Sequence, residues 1–64
     1  MSNQIKLGVY KVTNEFLLAN KLVPKNYLVG IKSFDHINNR VLIQVGSGYV
    51  WTNKNVISNL TYWY

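Results

Sequence analysis

The stretch Arg40–Trp51 has the sequence RVLIQVGSGYVW, the clearest strand and turn pattern in the chain. Val41, Ile43 and Val45 occupy every second position. Because side chains in a strand point alternately to its two faces, these three residues predict one buried, β-branched face. Gly-Ser-Gly at 46–48 is a turn sequence, since glycine tolerates positive φ. The stretch therefore predicts a β-hairpin.

The second strand of this hairpin is rich in aromatic residues. Tyr49 and Trp51 share one face and Val50 takes the other. We expect Val50 in the core and the two aromatic rings at or near the surface. Two interpretations of the rings remain open: ordinary half-buried packing, or an aromatic platform that binds a ligand.

Length and composition predict one small domain that covers residues 1–64. The chain has 64 residues, is 48% hydrophobic and contains no cysteine. Neither a disulfide nor a thiolate zinc site can therefore stabilise it. The fold must depend on apolar burial or on a partner subunit.

Apolar alternation predicts further strands at residues 4–12, 27–34 and 56–60. In the first of these, the parity of the alternation changes after Val9. A β-bulge or a sharp bend produces such a change, and Gly8 lies at the right place for one. These strands, together with the hairpin, predict an all-β fold.

Residues 13–24 leave two alternatives open. Thr13 or Asn14 could cap a helix, Glu15 suits its first turn, and Pro24 would end it. The consecutive apolar residues at 16–18 instead favour an extended arm. We expect either a short helix or helical turn, or a long folded loop.

Two segments resemble SH3-type barrels. Residues 48–56, GYVWTNKNV, resemble the end of such a barrel, where a strand enters a single 3₁₀ turn and leaves as the last strand. Residues 27–31, YLVGI, are similar to the central strand of bacterial SH3-like domains. The resemblance covers about half of the chain. It implies a small five-stranded SH3-like barrel.

In SH3-like domains, ligands meet the aromatic residues near the 3₁₀ turn. The resemblance therefore implicates Tyr49, Trp51 and also Tyr10 in ligand binding. The acidic, tyrosine-rich first loop of peptide-binding SH3 domains is absent, because Glu15 stands almost alone. Binding of proline-rich peptides is not expected.

The charge of the chain favours an anionic partner. Seven Lys and Arg residues against two acidic residues give a formal net charge of +5. Such a balance attracts nucleic acid, an acidic protein surface or an anionic polymer. The basic residues never form a run, so only the fold can assemble them into a patch. The candidates closest to the hairpin are Lys32, Arg40 and Lys54.

The chain carries little that could do chemistry. His36 is its single histidine, and Glu15 and Asp35 are its two acidic residues. Asp35 and His36 are adjacent, so in an extended chain their side chains point apart, which is wrong for a base oriented by a carboxylate. Three or four metal ligands cannot be assembled convincingly. We expect no enzymatic activity, no metal and no cofactor.

A small binding module is the function class that remains. The first hypothesis is nucleic-acid binding through dispersed Lys and Arg residues and stacking on surface aromatics. The second is a protein-interaction module, such as a small regulator or inhibitor, phage- or plasmid-encoded. Binding of cell-envelope polymer is a weaker third.

The chain ends in three aromatic residues. Tyr62, Trp63 and Tyr64 are expected to pack on the barrel or on a second copy of the chain, which would give a homodimer. The first residues lack the pattern of a signal peptide, and no apolar run approaches the roughly 18 residues of a membrane span. A cytoplasmic protein that does not bind membranes is therefore expected.

Overall fold

The fold is all-β, as the sequence predicts. The computed structural model describes residues 5–64. Within this range it contains seven strands and one 3₁₀ helix: β1 Gly8–Val12, β2 Phe16–Leu18, β3 Lys21–Val23, β4 Leu28–Asp35, β5 Arg40–Val45, β6 Gly48–Asn53, the 3₁₀ helix Lys54–Asn59, and β7 Leu60–Tyr62.

Five of the strands form one antiparallel sheet in the order β6-β5-β4-β1-β7. Strands β2 and β3 form a separate antiparallel pair. The predicted hairpin at Arg40–Trp51 is confirmed as β5 and β6, and its turn places Gly46 at a φ of 61°. Gln4, the first residue of the predicted first strand, lies outside the described residues.

The core lies on the inner side of this sheet. Val29 and Ile31 of β4 and Val41 and Ile43 of β5 are at most 3% exposed. The β2–β3 pair contributes buried residues to the same cluster, which also contains Tyr10, Val12, Phe16, Leu18, Val23 and Leu60. Each large side chain buried in this way stabilises the fold by about 1.5–3 kcal/mol, so this cluster contributes much of the stability.

Within residues 13–24, strands β2 and β3 form a β-hairpin. Both alternatives predicted for this segment, a short helix and a long folded loop, are therefore wrong. Ala19 and Asn20 connect the two strands with φ angles of 50° and 66°. A two-residue turn with both φ angles positive matches the right-handed twist of the flanking strands. Asparagine adopts this conformation readily, whereas alanine does so only at a cost of about 1–2 kcal/mol.

The strand predicted at residues 56–60 is wrong except at its last residue, because residues 56–59 belong to the 3₁₀ helix. The Asn53 side chain caps this helix by accepting a hydrogen bond from the Asn55 N–H. The last strand begins at Leu60 instead. It pairs with β1, and hydrogen bonds between Val9 and Tyr64 continue the pairing beyond it.

The β-bulge lies in β4 and not in β1. Of the two alternatives predicted at Gly8, the bulge is therefore wrong, while Gly8 itself has a φ of 146° at the start of β1. Strand β1 pairs with β4 without interruption from Gly8 onward. In the β4–β5 ladder, Ile31 pairs with Ile43 but Ser33 pairs with Leu42, which leaves Lys32 as an extra residue. A bulge of this kind shifts the alternation by one position. It allows Phe34 to pack against the core.

Gly8 makes a testable contribution to this sheet. Its φ is +146°, and a Cβ added there would lie 2.8 Å from the Tyr64 carbonyl oxygen. Replacing Gly8 with alanine should therefore lower the free energy of unfolding by about 1–3 kcal/mol, the usual cost of a disfavoured backbone conformation. Urea denaturation followed by tryptophan fluorescence measures this change.

Gly48→Ala is the matched control. A Cβ at Gly48 would meet only the Val45 carbonyl oxygen, at 3.8 Å, and the residue has no positive φ. Alanine there should be neutral or stabilising by up to about 1 kcal/mol. Equal denaturation midpoints for the two variants would contradict the role assigned to Gly8.

Candidate functional site

The side of β4, β5 and β6 that faces away from the core brings together most of the predicted site residues. Leu42 lies opposite Trp51, and Gln44 lies between Tyr49 on β6 and Gly30 on β4. These positions alternate with the buried ones, so they face outward. We call this surface the outer face and define it by six residues: Gly30, Lys32, Arg40, Gln44, Tyr49 and Trp51.

Two exposed aromatic rings lie side by side on strand β6. Tyr49 is 58% exposed and Trp51 is 44% exposed, while Val50 between them packs against the core. This is the arrangement predicted from the alternation. Positions two apart in a strand are separated by roughly 6.6 Å, so the rings offer two neighbouring stacking surfaces.

Arg40 sits beside Trp51. The central guanidinium carbon lies 5.6 Å from the centre of the indole ring, within the range of a cation–π interaction. Arg40 Nη2 also lies 3.7 Å from Asp35 Oδ2, a long ion pair across the ends of β4 and β5. At that distance and exposure the pair contributes little stability, and the guanidinium keeps further donors for a ligand.

The Asp35 carboxylate organises the turn between β4 and β5. Its Oδ2 accepts a hydrogen bond from the Asn38 side chain at 2.8 Å, and its Oδ1 accepts from the Ile37 and Asn38 N–H groups at 3.1 and 3.3 Å. The Asn38 side-chain bond is the main cause that holds the pKa of Asp35 below its ordinary value. The backbone bonds and Arg40 act in the same direction.

Lys32 lies on the outer face, whereas Lys54 does not. Lys32, the extra residue of the β4 bulge, is exposed and its side chain lies over Gly30 on the outer face. Lys54 begins the 3₁₀ helix directly after β6, and its N–H donates to the Asn39 carbonyl at 2.9 Å. Lys54 therefore lies beyond the end of the outer face, three residues after Trp51.

Tyr10 does not join the outer face. It is 5% exposed and belongs to the core, and its hydroxyl donates a hydrogen bond to the Lys6 carbonyl. Burial raises the pKa of the Tyr10 phenol, and the neighbouring Tyr62 adds to the increase. The resemblance placed Tyr10 among the ligand-binding residues, but its position makes it a core residue that is hidden from ligands.

The C-terminal aromatics pack on the sheet. The Tyr62 ring meets the Tyr10 ring edge to face at 5.3 Å, and Lys6 Nζ lies 4.4 Å from the Tyr62 ring centre. Lys11 Nζ lies 5.2 Å from the Trp63 ring. Of the two expected arrangements, packing on the chain's own sheet is therefore the one observed. Tyr62, Trp63 and Tyr64 remain 39–67% exposed, and self-association through them stays a prediction.

Sequence reasoning missed two features. Gly30 and Gln44 lie at the centre of the outer face, opposite each other on β4 and β5. Leu17 and Leu22 lie opposite each other on the β2–β3 hairpin and are 69% and 56% exposed. The first pair could be found only once the β4–β5 register was known. The second required recognising the hairpin.

The described part of the chain contains neither a metal-binding cluster nor a membrane-spanning helix. Across residues 5–64, no three His, Cys, Asp or Glu residues are grouped so that they could hold a metal ion. No helix in the same range is long and apolar enough to cross a membrane. The His36 ring is tilted against Phe34, with the ring centres 6.4 Å apart.

Comparison with protein-family models, curated proteins and solved structures finds no match to this chain.

The lowered pKa of Asp35, in the turn between β4 and β5, can be tested by titration. Because the pKa of Asp35 is lowered in the folded state, its contribution to stability is present above the unfolded pKa and disappears as the pH falls through the folded pKa. Asn38→Ala removes the main cause and should move the pKa of Asp35 upward, toward its ordinary value. An NMR titration of the Asp35 carboxyl carbon measures this shift. Asn14→Ala, an exposed asparagine ahead of β2, is the control and should leave the titration unchanged; a shift of the same size in both variants would contradict this account.

Proposed function

We propose that this protein is a non-enzymatic cytoplasmic module that binds single-stranded nucleic acid on the outer face. The observation that supports this most is the cluster of Trp51, Tyr49 and Arg40 on two adjacent strands at the edge of the sheet. Two exposed rings with cations beside them are the arrangement that stacks bases and neutralises phosphates. The net charge of +5 favours the same partner.

We also propose that the fold is an SH3-type barrel. The strand order is consistent with it, and so is the 3₁₀ helix between the last two strands. The β2–β3 hairpin would then correspond to the long first loop of such barrels. In SH3-like domains ligands meet the aromatics near the 3₁₀ turn, and of the three residues that the resemblance implicates, Tyr49 and Trp51 are exposed while Tyr10 is buried.

The binding mechanism has two parts. Successive unpaired bases stack on Trp51 and Tyr49, and each stacked base is worth about 1–3 kcal/mol. Lys32 and Arg40 take phosphates and release the condensed counterions, which makes the affinity fall as salt increases. Paired bases within a duplex hide their faces against one another, so the two rings favour an unpaired strand.

Removing the Trp51 ring tests the stacking part. Trp51→Ala should weaken the binding of a labelled single-stranded oligonucleotide about 5- to 150-fold, the equivalent of one stacked base. Fluorescence anisotropy at roughly 50 mM salt measures it, with a duplex of the same sequence in parallel. Leu17→Ala, which removes an exposed apolar side chain from the β2–β3 hairpin, is the control and should bind as the unmodified protein does. Failure of the unmodified protein to bind either oligonucleotide at this salt concentration would overturn the proposal.

Neutralising Lys32 tests the electrostatic part. Lys32→Gln should reduce the slope of log affinity against log salt by about 0.7, the value for one phosphate contact with a single strand. Lys25→Gln removes the same charge from an exposed residue in the turn that precedes β4, which is not one of the residues that define the outer face. Anisotropy at several salt concentrations between roughly 50 and 200 mM gives both slopes. Equal slopes for the two variants would mean that charge acts only as a diffuse field.

A protein partner is the second candidate, and the β2–β3 hairpin favours it. Leu17 and Leu22 face outward together, whereas Phe16, Leu18 and Val23 of the same hairpin are buried. Exposed apolar pairs of this kind commonly mark contacts with another protein. The module would then act as a small regulator or inhibitor through the hairpin.

Serine at both leucine positions separates the two candidates. A protein partner that binds through the hairpin should be retained by the unmodified chain in a pull-down and lost by the Leu17→Ser, Leu22→Ser variant. Oligonucleotide affinity should stay the same in that variant. A partner that is retained equally well by the variant would contradict a role for the hairpin.

A further inference from the structure

Strand β6 is an open edge of the five-stranded sheet. It pairs with β5 on one side and stands at the end of the strand order that residues 5–64 form. Four of its six residues are exposed and two are half-buried, whereas the inward residues Val41 and Ile43 of β5 are fully buried. A row of backbone donors and acceptors therefore faces solvent along β6.

The turn that precedes β6 determines which of these backbone groups are free. Val45 and Gly48 close a two-residue turn, so they form a hydrogen-bonded pair. Because hydrogen-bonded and non-hydrogen-bonded pairs alternate in an antiparallel ladder, the N–H and C=O groups of Tyr49 and Trp51 point away from β5. No other backbone group in the described part of the chain bonds to them. These groups are therefore positioned to pair with a further strand.

The β6 edge lacks the features that protect natural sheets from pairing with other chains. Protected edges are very short, or they carry lysine, proline or a bulge. Strand β6 has six residues, GYVWTN, with no charge and no proline among them, and its register with β5 is uninterrupted. The other edge strand, β7, has only three residues. Of the two edges, β6 is therefore the one suited to pair with another strand.

The inner side of β6 is incompletely covered. Val50 packs against the core but remains half-buried, and it lines a groove of about 370 Å³. Leu22 and Val23 of the β2–β3 hairpin line the same groove. The hairpin therefore does not close over Val50, and an apolar side chain placed beside Val50 would gain burial.

We propose that β6 pairs antiparallel with β6 of a second copy of this chain, with the two Val50 residues opposite each other on the two-fold axis. In this register each Tyr49 lies opposite Trp51 of the other copy, and both of these pairs exchange two backbone hydrogen bonds. The interface is isologous, since the same strand contributes the same groups on both sides. The pairing goes beyond the proposed nucleic-acid binding, because it requires no nucleic acid.

The β6 sequence is complementary to itself in this register. The two valines cover each other on the inner side, and each tyrosine meets a tryptophan on the outer side, which is a favourable cross-strand pair. Arg40 lies opposite Asn53, three residues from the axis. The two Arg40 side chains are therefore at opposite ends of the dimer, roughly 24 Å apart at the usual strand dimensions. Salt screens charges at that separation, because the Debye length is about 8 Å at physiological ionic strength.

Sedimentation equilibrium of the full chain without nucleic acid tests the pairing. A dimer should form with a dissociation constant of about 1 mM or below. Each copy has a net charge of +5, so raising the salt from roughly 50 to 200 mM should strengthen the dimer by screening the mutual repulsion. Oligonucleotide binding should weaken over the same range. A monomeric mass at about 1 mM protein at both salt concentrations would overturn the pairing and leave the nucleic-acid proposal standing.

Two substitutions of Tyr49 separate strand pairing from ring contacts. Tyr49→Thr removes the ring but keeps the N–H group and a strand-forming side chain. Tyr49→Pro also removes the N–H group, which does not bond to β5, and proline is tolerated on an edge strand at such a position. Tyr49→Pro should weaken the dimer about 5- to 150-fold more than Tyr49→Thr does, because two backbone hydrogen bonds are lost per dimer. Equal dimerisation of the two variants would contradict strand pairing.

Trp63→Ala is the control for self-association through the C-terminal aromatics. It should dimerise as the unmodified chain does, because Trp63 lies outside β6. Loss of the dimer in Trp63→Ala, with Tyr49→Pro unaffected, would assign the interface to the C-terminal aromatics and overturn the proposal.

A cysteine substitution tests the register without relying on the proline variant. The chain has no cysteine, so Val50→Cys introduces a single thiol. Opposite residues of a non-hydrogen-bonded pair have Cβ atoms about 4.5 Å apart, close to the separation in a disulfide. With glutathione disulfide as the oxidant, Val50→Cys should form a covalent dimer about tenfold or more faster than Leu17→Cys, since pairing raises the effective thiol concentration. Equal rates for these two exposed-strand variants would overturn the register.

Discussion

Ile31 and Ile43 lie opposite each other on the two central strands, 1% and 0% exposed, and the other elements depend on their burial. The chain has no cysteine, so no disulfide supplements this apolar contact. The sheet alone could cover only one side of the pair. The β2–β3 hairpin adds buried residues to the same cluster, and the fold therefore needs a segment that is itself too short to be stable alone.

The bulge at Lys32 connects this core to the candidate site. One extra residue in β4 restores the inward direction of Phe34 after the alternation of Val29 and Ile31. The same residue places a lysine on the outer face, above Gly30. A single irregularity thus serves packing on one side of the sheet and charge on the other. Bulges are frequently found beside binding sites for this reason.

The sequence predicted the central part of the fold well and the connections poorly. Alternating β-branched residues at Val41, Ile43 and Val45 are a strong local pattern, and the β5–β6 hairpin follows from them. The β2–β3 hairpin lacks such a pattern, since its apolar residues at 16–18 are consecutive. Its turn also gives no signal, because alanine, here Ala19, is unusual at a position with positive φ. There the tertiary contacts of Phe16 and Leu18 override the local preferences.

The candidate site was predicted in the same uneven way. Tyr49 and Trp51 follow from period-two alternation, and Arg40 joins them because it is the first residue of the paired strand. Gly30 and Gln44 depend on the cross-strand register, which the bulge at Lys32 alters and which no local pattern predicts. Tyr10 was misplaced because the resemblance, and not its position in the strand, assigned it to the site; in β1 it shares the buried side with Val12.

The pairing of β1 has a consequence for the order of folding. Strands β4, β5 and β6 are consecutive neighbours in the sheet, so they can assemble through short loops. Strand β1 instead lies between β4 and β7, and Tyr10 pairs with Tyr62 at the far end of the chain. Closing so long a loop carries a larger entropic cost and slows folding. The three-strand meander that carries the outer-face aromatics can therefore form before β1 acquires its last neighbour.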